Sequence, residues 1–147
     1  GDQYINKKKK KKKKSKKKII EMEIKKTGKL FSFCCAAPLI IKKKSKKEIK
    51  FFENLGSNIG LLFQIADDLI DLKGNSKIAG KKTGKDKKKG KATLINVIGS
   101  RNAIKYCDKI ILDIKKNLKK HGLGSKNINK TLDYILYRNK WLKIINY

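Results

Sequence analysis

The sequence predicts an all-α protein. Apolar residues recur at three- and four-residue intervals in several separate stretches, and no alternating run is long enough to build a sheet. Residues 1–18 form a lysine-rich, irregular segment, with Ser15 as N-cap of a helix carrying Ile19, Ile20, Met22 and Ile24. That helix or its successor presents Lys26 and Thr27, then runs through Leu30, Phe31, Phe33 and Cys34 toward Pro38. Lys42 to Lys47 reads as a polar connection. A long helix follows from about Ile49 to Leu72, with Phe52, Leu55, Ile59, Leu62, Phe63, Ala66 and Ile70 as its buried stripe. Gly74 to Lys91 reads as mostly loop with room for a turn of helix. Ala103, Tyr106, Cys107, Ile110, Ile111, Ile114 and Leu118 mark an amphipathic helix closed by His121-Gly122, and Ile128, Leu132, Ile135 and Leu136 mark the last one. Residues 19–147 thus form one helical unit.

Charge is conspicuous. The formal net charge is +29, and Lys7 to Lys14 with Lys16 to Lys18 supplies eleven of the 41 basic residues, so the excess extends along the whole chain. Such a surface attracts polyanions through counterion release whatever the fold. Yet Arg occurs only at positions 101 and 138, and sequence-specific nucleic-acid readers rely on the bidentate arginine fork. A specific nucleic-acid partner is therefore not expected. A non-catalytic basic binding protein remains the alternative reading.

The acids point elsewhere. Gln64, Asp67, Asp68 and Asp71 interrupt an otherwise apolar helix; Asp67 and Asp71 are four apart and Gln64 precedes Asp67 by three, so an amide and two carboxylates share nearly one face, with Asp68 at its edge. Carboxylates crowded on a rigid helix repel one another, and a hard divalent cation such as Mg2+ relieves that repulsion. Downstream lies a glycine-punctuated basic segment, Gly80-Lys81-Lys82-Thr83-Gly84-Lys85-Asp86 and then Gly90-Lys91-Ala92-Thr93. Glycines let backbone approach a ligand and lysines reach phosphate oxygens, so acids followed by this segment make a coherent pyrophosphate site.

Taken together, Lys26-Thr27-Gly28, Phe63-Gln64 with Asp67-Asp68 and Asp71, Gly80-Lys81, Gly90-Lys91-Ala92-Thr93 and the terminal Tyr134 to Lys140 resemble the polyprenyl diphosphate synthases, in particular the bacterial farnesyl type. Gly1-Asp2-Gln3 is similar to that family's G-G-Q motif, with Asp2 in place of a glycine, and Asn6 stands where an aspartate is usual. The resemblance implies the C-terminal half of an isoprenoid-synthase helical bundle, lacking the family's first aspartate-rich motif, and so a chain without turnover on its own. It implies a Mg2+-dependent transferase that condenses isopentenyl diphosphate with an allylic diphosphate, homodimeric as the whole enzyme. In that setting Asp67, Asp68 and Asp71 hold the metal; Lys26, Lys81 and Lys91 bind diphosphate; Thr27 and Gln64 lie near the cationic carbon; and Asp86 orients metal-bound water or Lys81.

The remaining residues suggest plain roles. Cys34, Cys35 and Cys107 are odd in number and lack metal or redox spacing, so buried, reduced thiols and a cytoplasmic location are expected. His121 stands alone near a helix end, where capping is its expected use. No apolar run approaches the roughly 20 residues that span a bilayer.

Overall fold

The computed structural model describes residues 15–79, 93–120 and 126–137, and among these every element is helical, as the sequence predicts. Helix α1 covers residues 15–23. A π-helical turn, Ile24–Gly28, joins it to α2, Lys29–Ile41. Then come α3 (Lys46–Ala79), α4 (Leu94–Ile98), α5 (Ser100–Lys120) and α6 (Lys126–Tyr137). Ser15 is already helical rather than capping, and Lys16 to Lys18, placed by the sequence in the irregular segment, belong to α1. Residues 1–14, the His121-Gly122 signal and the basic stretch from residue 80 to residue 92 lie outside the described residues.

The turn between α2 and α3 is built by local chemistry. Lys43 N–H donates to the Ile40 carbonyl and Lys44 N–H to that of Leu39, both at 2.9 Å, which satisfies carbonyls that end a helix unpaired. That closure needs a left-handed residue, and Lys43 supplies it at φ 50° without being glycine. Ser45 and Glu48 then cap α3 reciprocally. Ser45 Oγ accepts from Glu48 N–H at 3.2 Å while the Glu48 carboxylate accepts from Ser45 N–H at 3.1 Å. This S-K-K-E box starts α3 at Lys46, three residues ahead of the start read from apolar periodicity. The helix also runs through Gly74 to Ala79, part of what the sequence assigned to loop, giving 34 residues, or about 51 Å at 1.5 Å per residue.

Helix α3 is the spine. One side packs on the π-turn and α2, and the others on α4, α5 and α6. The core joins Leu61, Leu62, Ile65, Ala66 and Leu69 of α3 to Leu94 and Ile95 of α4 and to Ala103, Ile104, Cys107, Ile110, Ile111, Ile114 and Leu118 of α5; Leu132 and Ile135 of α6 and Ile19 of α1 complete it. Burial stabilises by about 1.5–3 kcal/mol per large side chain. The α3 stripe is rotated from the predicted one. Phe52, Leu55, Ile59, Phe63 and Ile70 are only half-buried, and Leu55, Ile59 and Phe63 among them pack against the core from its side. Short helix α4, absent from the sequence reading, is capped by Thr93, whose hydroxyl accepts from Asn96 N–H, and is broken from α5 by Gly99 at φ 82°. Lys115 and Asp133, 2.8 Å apart and partly exposed, tie α5 to α6.

Candidate active site

The site forms where the π-turn crosses α3. Lys29 N–H donates to Ile24 C=O, five residues back, so one extra residue is accommodated in the helix and Lys26 and Thr27 are turned relative to a regular α-helix. Backbones meet directly here. A Cβ on Gly60 would stand 2.7 Å from Gly28 Cα, and one on Gly56 would stand 2.3 Å from the Phe31 carbonyl oxygen. Only glycine permits that approach. Phe31 and Phe63, with ring centroids 5.7 Å apart, fill the space beside it.

Close approach brings Thr27 to Gln64 across 37 residues of sequence. Thr27 Oγ1 donates to Gln64 Oε1 at 2.9 Å, and Gln64 Nε2 donates to Asp68 Oδ1 at 3.3 Å, one helical turn on. Thr27, Gln64, Asp67 and Asp68 are half-buried, whereas Lys26 and Asp71 are exposed. The structure therefore joins Thr27, Gln64 and Asp68 in one hydrogen-bonded line. Asp68, which the sequence put at the edge of the acidic face, is the acid bonded to Gln64. Lys81, Asp86 and Lys91 lie outside the described residues.

The donor set is chemically suited to a hard cation. Among the described residues no three His, Cys, Asp or Glu side chains converge into a ready-made cage. Mg2+ does not require one, since it keeps several waters and takes one or two carboxylates plus substrate phosphates. Two features near the site escaped the sequence reading. Gly56-Ser57-Asn58-Ile59-Gly60 is a G-x-x-x-G string whose glycines fall on one helix face, and that spacing could have revealed the close crossing. Glu23, only 3% exposed, sits just before the π-turn and carries no comparable signal.

The cysteines correct the expectation of uniform burial. All three are free, but Cys34 is exposed, Cys35 half-buried and Cys107 buried. Burial, with Asp108 adding, pushes the Cys107 thiol up to about 12, and burial also raises Cys35 and Tyr106.

The family model described as Polyprenyl synthetase matches residues 2–134, and the chain belongs to that family. It is 35% identical over 121 residues to geranylgeranyl pyrophosphate synthase 4 of Arabidopsis thaliana, an alignment covering 80% of this chain and 32% of that protein. It is 32% identical over 112 residues to farnesyl diphosphate synthase of Bacillus subtilis (76% and 36% covered) and 29% over 119 residues to that of Micrococcus luteus (81% and 41%). The chain thus spans well under half the length of these relatives. No solved structure matches it.

Proposed function

We propose that this chain is the C-terminal portion of a short-chain prenyltransferase, carrying the part of the active site that holds an allylic diphosphate as it departs. The observation that carries the reading is the Thr27–Gln64–Asp68 line at the π-turn, with Lys26 on the same turn and Asp67 and Asp71 on the same helix. In the reaction the allylic C–O bond breaks and its electron pair leaves with the diphosphate. The double bond of isopentenyl diphosphate then supplies the pair that forms the new C–C bond, and a proton is lost to restore an alkene. Oxygen dipoles of Thr27 and Gln64 stabilise the positive carbon without attacking it. Lys26 answers the charge growing on the leaving group, and the same task is proposed for Lys81 and Lys91, with Asp86 orienting Lys81 or metal-bound water.

Asp67 and Asp71 would hold Mg2+, which when bound neutralises diphosphate charge. Homodimeric assembly of the whole enzyme and a reducing, cytoplasmic setting belong to the same reading, the latter supported by three free thiols. Among the described residues no helix is long and apolar enough to cross a membrane.

Calorimetry tests the reading. Inorganic pyrophosphate should bind the chain much more tightly with Mg2+ than without it, and Asp67→Ala should remove the difference; equal metal dependence in the variant refutes the assignment. The net charge of +29 favours a second reading, a basic binding protein. Salt separates the two. Polynucleotide binding that merely follows charge decays steeply with ionic strength, whereas a salt-resistant preference for one sequence would favour the second reading.

A further inference from the structure

The Thr27–Gln64–Asp68 line has a chemical polarity. A carboxylate only accepts, so the edge of the Gln64 amide that faces Asp68 must be its NH2; Oε1 then faces Thr27, whose hydroxyl must donate. With its proton committed to Gln64, Thr27 Oγ1 can offer any further group only lone pairs. Reversing the amide would reverse the dipole. The NH2 of Gln64 would then face Thr27, the hydroxyl would accept, and its proton would be free to point at the reacting carbon, where positive meets positive.

Resting on the prenyl-transfer reading above, we propose that Asp68 is a positioning residue rather than a cation ligand: by accepting from Gln64 Nε2 it fixes the amide's orientation and holds Thr27 with its lone pairs toward the allylic carbon. The sequence groups Asp68 with Asp67 and Asp71, and the structure gives Asp68 a bond to Gln64. Its Oδ1 is engaged by the amide one turn back, the same amide that meets Thr27 of the π-turn. Asp68 thereby couples the acidic face to the pair that meets the carbocation.

Asparagine at position 68 separates the two roles, since its side-chain oxygen still accepts from Gln64 but its neutral amide is a poor Mg2+ ligand. Two readouts are compared for the 147-residue chain and its Asp68→Asn, Asp68→Ala and Asp67→Asn variants. One is the Gln64 side-chain amide by 15N NMR, and the other is Mg2+-dependent pyrophosphate affinity by calorimetry. The Gln64 amide should give two well-separated, exchange-protected proton signals in the parent and in Asp68→Asn, collapsing to the solvent-averaged position in Asp68→Ala. Affinity for pyrophosphate with Mg2+ should stay within about twofold in Asp68→Asn and fall about tenfold or more in Asp67→Asn, the latter being about 1.4 kcal/mol. Equal losses in the two Asn variants would make Asp68 a cation ligand and overturn the proposal, as would Gln64 signals unmoved by Asp68→Ala. If Asp68→Ala does not fold by circular dichroism, the two Asn variants decide. Absence of Mg2+ dependence in the parent, with the Gln64 signals behaving as described, would instead overturn the diphosphate reading and leave the Asp68–Gln64 anchor standing as structure alone.

Discussion

Replacing Gly56 by alanine should pry α2 from α3. The added methyl would lie 2.3 Å from Phe31 O, 2.6 Å from Phe31 C and 2.7 Å from Ser32 Cα, all backbone atoms that no rotamer change can move. Restoring ordinary contact requires the helices to separate by about 1 Å, and strain of this kind typically costs 1–3 kcal/mol. The Thr27–Gln64 bond, at 2.9 Å, lies two turns further along the same crossing. Opening it by a similar amount takes it beyond hydrogen-bonding range and forfeits about 0.5–1.5 kcal/mol more. Alanine's better helix propensity returns about 1 kcal/mol. The net expectation is a loss of about 0.5–3.5 kcal/mol, measured by urea unfolding followed by circular dichroism. Asn54→Ala, at an exposed position of the same helix, is the control and should not destabilise. A Gly56→Ala chain as stable as its parent would refute the close crossing and the site geometry that depends on it.

Other consequences are as direct. Lys43→Gly should stabilise by about 0.5–1 kcal/mol, since glycine adopts positive φ without steric cost, and Ser45→Ala should destabilise by about 1 kcal/mol through loss of the α3 cap; both are read by urea unfolding. Leu62→Ala, at a fully buried site, should cost about 2–5 kcal/mol by the same measurement. Cys107 has a folded pKa raised from 9.0 to about 12, so the folded state keeps a proton that the unfolded state loses, and stability falls as pH rises across that window. The slope from this thiol is at most about 1.4 kcal/mol per pH unit, and Cys107→Ala should show a shallower fall, keeping only the part due to Cys35 and Tyr106. Iodoacetamide followed by mass spectrometry should label exposed Cys34 in the native chain and Cys107 only after unfolding.

How much of this was legible in the sequence depends on what each residue faces. Helix α5 was readable almost to the residue because it is buried on one side only, so its isoleucines fall at clean helical spacing; Ile104 was missed beside half-buried Tyr106. Helix α3 misled because it is packed on more than one side, and the glycines that set its closest contact carry no hydrophobic signal. Asp67 and Asp68 stand three and four residues after Gln64, both within reach on a helix, so spacing alone could not choose between them. The motif residues themselves were visible. That Thr27 meets Gln64 was not, because besides the glycine crossing, whose G-x-x-x-G spacing went unread, it requires the π-turn, which leaves no periodic trace. Cys34 was read as buried because its spacing fits no metal or redox site, but it is exposed on α2, as are Leu30 and Phe33.

The four-residue link between α2 and α3 also sets an order of events in folding. Bringing chain ends together costs entropy that grows with the length of the loop, so a hairpin closes from its turn outward. Gly56 meets Phe31 first, Gly60 then meets Gly28, and only afterwards does Gln64 reach Thr27. Each step shortens the loop that the next must close, and the site pair is delivered last by rungs already formed. The functional contact is thus the costliest of the three to close alone, and the two glycine contacts lower that cost.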